Sequence, residues 1–143
     1  MSGETSPPKG TRSLVLDSHA LLSYLEGEQG ADFVANALGM AEQGNLACYM
    51  TIVNWGEVYY SILRSKGERR AQEATHVIDQ LPVEIVNMDL NLVQRAGRFR
   101  ERFRLPNGLC FAASLATSRS CPVLTGDPLF RRLDEDVQVL WLK

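Results

Sequence analysis

The stretch Ser13-Leu14-Val15-Leu16-Asp17-Ser18 decides the fold. A short apolar run, apolar on both faces, ends in a carboxylate, and a helical pattern begins at once. Such a run is what a strand buried inside a parallel sheet looks like. Leu21, Leu22 and Leu25 supply the apolar face of the following helix, and Ser18 stands where a cap is expected. Pro122-Val123-Leu124-Thr125-Gly126-Asp127 repeats the pattern far down the chain. In open parallel sheets the carboxyl ends of the strands line one crevice, and ligands bind there. Asp17 and Asp127 are therefore expected to meet.

Working outward, the periodicity predicts a helix over 30–42, with Phe33, Val34, Ala37, Leu38 and Ala41 inward. It predicts a strand over 46–50 and helices over 53–65 and 68–80. A third strand is expected over 83–88. Asp89 then caps an amphipathic helix carrying Leu92, Ala96, Phe99 and Phe103. A helix over 108–118 is rich in small residues, a fourth strand holds Val123 and Leu124, and a fifth covers 137–142. Strands alternating with helices imply right-handed crossovers, hence a three-layer α/β/α fold around a central, mainly parallel five-stranded sheet. Residues 1–12 read as a disordered N-terminal tail, and residues 13–143 as one domain.

The chain has 143 residues and a formal net charge of −2, so bulk positive charge does not drive nucleic-acid binding. Any such contact needs local basic patches. No apolar run approaches a membrane span, and the N-terminus lacks the apolar centre of a signal peptide. Three cysteines, Cys48, Cys110 and Cys121, lie in or beside apolar segments with no CxxC pair. Reduced, buried thiols in a cytoplasmic protein are expected.

Converging carboxylates suit Mg²⁺ or Mn²⁺. Asp17 is one candidate, and it also reads as an acceptor of backbone N–H groups at a helix start. Glu57 shares a helix face with Asn54, Ser61 and Arg64, which reads equally as a solvated surface. Asp127 precedes Pro128, the pattern of an N-cap followed by proline. Asp134, Glu135 and Asp136 read as a solvated acidic turn. His19, two residues from Asp17, is near enough to touch the site, although a helix-edge histidine is the simpler reading. Arg95, Arg98 and Arg102 fall on one helix face, with Arg100 and Arg104 in a neighbouring row; arginine rows are commonly solvated and also hold phosphates.

The segments 13–28, 51–64, 109–128 and 137–142 together resemble the PIN-domain family, specifically the VapC-like toxins of toxin–antitoxin pairs. Asn54-Trp55-Gly56-Glu57-Val58-Tyr59-Tyr60 and Val123-Leu124-Thr125-Gly126-Asp127-Pro128 carry most of the likeness. The resemblance implies an Mg²⁺- or Mn²⁺-dependent ribonuclease acting on RNA, usually a homodimer, silenced by a cognate antitoxin. It places metal and catalysis on Asp17, Glu57 and Asp127, with Asn54 and Thr125 at its usual polar supporting positions; Ser18 is a further supporting candidate, and the charge pattern offers Arg64, Arg95, Arg98 and Arg102 as RNA contacts. One position departs: the family's third acid aligns with Leu109, which implies weakened or absent activity. Leu129 also stands where an acid is frequent.

Three readings follow. The first is a metal-dependent RNA endonuclease. The second is a catalytically inactive PIN-like module that still binds antitoxin or RNA, which Leu109 favours. A response-regulator-like phosphoacceptor is disfavoured, because it needs an acidic pair after the first strand and Leu16-Asp17-Ser18 holds one acid.

Overall fold

Leu14, Val15 and Leu16 are completely buried, as a strand covered on both faces requires. The computed structural model describes residues 5–133 and 135–142. Five strands, β1 (Ser13–Leu16), β2 (Ala47–Thr51), β3 (Val83–Val86), β4 (Val123–Thr125) and β5 (Val139–Trp141), run all parallel in the order β3-β2-β1-β4-β5. From β1 the chain passes through α1 (Ser18–Glu26) and α2 (Ala31–Glu42) to β2. It continues through α3 (Ile52–Lys66) and α4 (Glu68–Asp79) to β3 at the edge. α5 (Leu90–Phe103) and α6 (Asn107–Ser118) then carry it back past β1 to β4, and a 3₁₀ turn over Pro128–Leu133 leads to β5. The winding direction reverses between β1 and β4. Asp17 and Asp127 follow those two strands, at the point where open α/β sheets bind ligands.

Side-chain alternation splits the core into two layers. Leu14, Leu16, Met50 and Leu124 pack with α1 to α4, while Val15 and Val123 pack with α5, α6 and Phe130. The small residues Ala112, Ala113 and Ala116 lie buried on α6, so that helix sits close to the sheet. The Ser114 hydroxyl donates to the Leu92 carbonyl at 2.7 Å and joins α6 to α5. The three-layer fold and five-stranded parallel sheet expected from the sequence are therefore present.

The structure bears on three local expectations. Ser18 does not cap α1; it is the first helical residue, and Asp17 caps instead. Asp17 has extended backbone (φ −88, ψ 179), and its Oδ1 accepts the Ala20 N–H at 2.8 Å. In the segment expected as a tail, residues 1–4 lie outside the described residues. Beyond them, Pro7 is buried and the Thr5 carbonyl accepts from Asn36 Nδ2 at 2.7 Å. Of the acidic turn, residue 134 lies outside the described residues, and Glu135 and Asp136 are exposed.

All three cysteines are free and buried. Burial pushes the Cys48 thiol up to about 12, so it stays a protonated, inert core group. No helix among the described residues is long and apolar enough to cross a membrane.

Phe130 is completely buried, whereas Leu90 is 80% exposed at the start of α5. Phe130→Ala should lower unfolding free energy by ~3–5 kcal/mol in urea titration. Leu90→Ala should change it by less than ~0.5 kcal/mol. Equal effects would place the second core layer elsewhere.

Candidate metal centre at the β1–β4 crevice

Asp17 is 4% exposed and sits at the centre of the site. Its Oδ1 takes the Ala20 N–H, and its Oδ2 takes a short hydrogen bond from the hydroxyl of Thr125, the last residue of β4. The Thr125 oxygen in turn accepts the Asp127 N–H at 2.9 Å. Thr125 thereby stitches the end of β4 to the end of β1. Asp127 is half-buried, and its Oδ1 accepts the Leu129 N–H at 3.0 Å, the capping role its sequence suggested.

Glu57 enters from α3. Thr51 caps that helix by accepting the Asn54 N–H at 2.9 Å, and its hydroxyl donates to Asn54 Oδ1 at 2.7 Å. The buried Asn54 amide then donates to Glu57 Oε1 and to the Gly108 carbonyl, each at 3.0 Å. One side chain thus orients the Glu57 carboxylate and ties α3 to the first turn of α6.

Burial pushes the Asp17 carboxyl up to about 7; the Thr125 and Ala20 hydrogen bonds pull it down, and the charges of Asp127 and Glu57 raise it further. The three acids therefore share one electrostatic neighbourhood. None of them takes part in an ion pair among the described residues. A buried carboxylate with two acidic neighbours and no cationic partner is costly, and a cation relieves it. Oxygen donors of this kind suit a hard divalent ion. No group of three or more His, Cys, Asp or Glu among the described residues is drawn close enough to hold a metal by itself. A divalent ion at these acids would therefore be held partly through water.

Position 109 is corrected by the structure. Leu109 is 6% exposed and packs in the apolar layer with Leu92, Leu105 and Cys110. The α6 residue that meets the acids is Gly108: a Cβ there would lie 2.0 Å from Glu57 Oε2. Neighbouring helical residues point about 100° apart, so a shift of one residue exchanges crevice for core. Sequence reasoning missed this because Leu109 and Gly108 are both uncharged, and only the helix phase separates them.

The remaining expectations divide. Asn54 and Thr125 lie at the site, as described, whereas Ser18 is half-buried at the start of α1. His19 is exposed, and its ring rests on Gly126, where a Cβ would meet Cε1 at 2.5 Å, so it does reach the strand end beside Asp127. Leu129 is half-buried. Arg64 and Arg98 are exposed and Arg95 is half-buried. Arg102 is turned to other work: it pairs with Asp136 at 3.7 Å and lies 5.0 Å over the Phe103 ring.

Two predictions follow from this geometry. The folded Asp17 titrates near 7 against an ordinary value of 3.8, so the folded state holds the extra proton between those values. Stability from this group is full below 3.8 and is lost as pH rises through about 7. Asp17→Asn keeps a good cap and removes the charge, and in metal-free buffer it should melt higher than the parent at pH 8. The gain is on the order of 4 kcal/mol and should disappear in acid. A gain that does not change with pH would contradict the assignment.

Leu109→Asp should destabilise the fold by several kcal/mol in urea, because it buries an unpaired carboxylate. Gly108→Ala should stay within ~1 kcal/mol of the parent, since the exposed Glu57 side chain can swing aside and the helix gains from alanine. The reverse order would restore 109 as the crevice position.

Comparison with known proteins agrees with this architecture. Residues 14–136 match the PIN domain family. No curated protein matches the chain in sequence. Among solved structures, VapBC2 from Rickettsia felis bound to a promoter DNA fragment is similar with a TM-score of 0.74 and 16% identity, over 92% of this chain and 99% of that one. DNA-bound VapBC from Salmonella typhimurium is similar at 0.72 and 12%, over 93% and 100%. Mycobacterium tuberculosis VapC20, a sarcin-ricin loop cleaving toxin, is similar at 0.66 and 12%, over 82% and 92%. At these identities the structures speak for the fold, while the sequence match spans most of the chain; the protein belongs to the PIN-domain family.

Proposed function

We propose that this chain is a metal-dependent endoribonuclease, the toxin of a toxin–antitoxin pair, that hydrolyses RNA phosphodiesters with Mg²⁺ or Mn²⁺. The observation that carries the reading is the uncompensated acidic trio of Asp17, Glu57 and Asp127 at the β1–β4 reversal. Bound there, a divalent ion would supply Lewis acidity and an activated water. Asp17 would anchor the ion rigidly, because Thr125 and the Ala20 amide fix both of its oxygens. Asn54 would hold Glu57 toward the ion. Asp127 would complete the set from the β4 side.

The likeness to VapBC structures supports a partner protein. A cognate antitoxin would lay an amphipathic segment in the groove between α1, α3 and α4. Leu25, Ile62, Ala74 and Val77 line that groove, and Glu26 and Lys66 pair at its rim at 3.1 Å. Exposed Ile52 and Tyr60 on α3 offer apolar area for a homodimer. The free thiols accord with a cytoplasmic protein.

One observation favours a second reading, an inactive module that still binds antitoxin or RNA. α6 gives the crevice a glycine instead of an acid, and Glu57 lies against that bare backbone. A fluorescent RNA cleavage assay separates the two. The nuclease reading expects cleavage that requires Mg²⁺ or Mn²⁺ and falls ~10²-fold or more in Asp17→Asn, a larger loss than outer-shell changes cause. Equal rates in parent and Asp17→Asn, with or without metal, would leave the binding module.

A further inference from the structure

The arginines outside the acidic crevice differ in how they are occupied. Arg119 and Arg131 lie over Tyr49 and Trp141 at 4.4 and 5.1 Å, and Arg102 is paired as described above. Arg100 and Arg104 make no ion pair among the described residues. Both are exposed, and they line an open cleft of about 420 Å³ with Gly97, Glu101 and Leu105. A Cβ on Gly97 would meet nothing within 4 Å, so this glycine leaves one wall of the cleft open. Two guanidinium groups against one carboxylate leave the cleft positive.

The cleft is tied to the acidic site by a short chain of contacts. Arg100 Nη1 donates to Asn107 Oδ1 at 2.6 Å. Asn107 is the first residue of α6, and the next residue, Gly108, abuts Glu57 and accepts from Asn54. Arg100 is thus partly ordered before any ligand arrives, which lowers the entropy lost on binding. Three acids alone repel a polyanion. A neighbouring pair of planar guanidinium forks offsets that repulsion and matches phosphate oxygens bidentately.

We propose that Arg100 and Arg104 form a phosphodiester clamp that seats the backbone of a single-stranded polynucleotide beside the Asp17–Glu57–Asp127 crevice. The clamp rests on the nuclease reading above and supplies a cationic hold on the backbone that the three acids themselves do not offer. It also shifts substrate contact from the row of Arg95, Arg98 and Arg102 to the row that the Asn107 contact joins to α6.

The test is fluorescence anisotropy with a short fluorescein-labelled single-stranded RNA, across a salt series, in the Asp17→Asn background so that nothing is cleaved. Arg100→Gln with Arg104→Gln should weaken binding ~10-fold or more and reduce the salt slope by about 1.4, as expected for two phosphates on a single strand. Gly97→Phe fills the cleft without changing charge and should weaken binding as well. Arg119→Gln with Arg131→Gln removes the same charge elsewhere and should change affinity by less than ~2-fold. Equal losses in the two double variants would overturn the clamp, since bulk charge would then explain binding. So would an acidic peptide of matching charge that displaces the RNA as well as unlabelled RNA does. If the Asp17→Asn chain binds no RNA at any salt, the polynucleotide reading of the whole site fails and the clamp with it. RNA binding that persists undiminished in Arg100→Gln with Arg104→Gln removes the clamp alone.

Discussion

The structure depends on one buried carboxylate. Asp17 ends β1, begins α1 and has no ion-pair partner among the described residues, and each condition bears on the sequence around it. Ending a strand buried on both faces places it at the reversal of the sheet. Beginning a helix gives it the Ala20 N–H to hold. Lying against β4 requires a small hydrogen-bond donor there, which Thr125 supplies while also accepting from Asp127. The cost of this arrangement shows in the upward push on the Asp17 carboxyl. Proteins tolerate such strain chiefly at sites where a ligand relieves it.

Around that carboxylate the supporting groups are built from backbone caps. Thr51 caps α3 and fixes Asn54; Asn54 fixes Glu57 and touches α6. Asp127 caps the 3₁₀ turn with one oxygen and leaves the other available. Capping residues are held by their own helices, so a site made from caps is positioned by the fold itself. The weak point is α6, where glycine leaves a gap that Glu57 partly fills. Asp17, Glu57 and Asp127 suit a single hydrated ion, in keeping with Mg²⁺ retaining several of its waters.

Much of this was legible in the sequence because burial leaves a clear pattern. Leu14, Val15 and Leu16 announced a central strand, and Asp89 announced the start of α5, which it does cap. The acids at strand ends could be found because parallel sheets gather such positions. What stayed hidden depends on angles of a fraction of a helical turn. Ser18 and Asp17 are both good caps, and only the backbone shows which residue is still extended. Gly108 and Leu109 differ by one step of α6, which decides between crevice and core. The partners of Arg100 and Arg102 were hidden for the same reason, since pairing with Asn107 or Asp136 requires the loop after α5 and the end of the 3₁₀ turn to be in place.

Calorimetric titration of Mn²⁺ into the metal-free protein reads the acidic trio without relying on any substrate. One ion should bind per chain, with binding abolished in Asp17→Asn and unchanged in Glu135→Gln on the exposed turn. Binding that survives Asp17→Asn, or its absence in the parent chain, would contradict a metal centre at the trio.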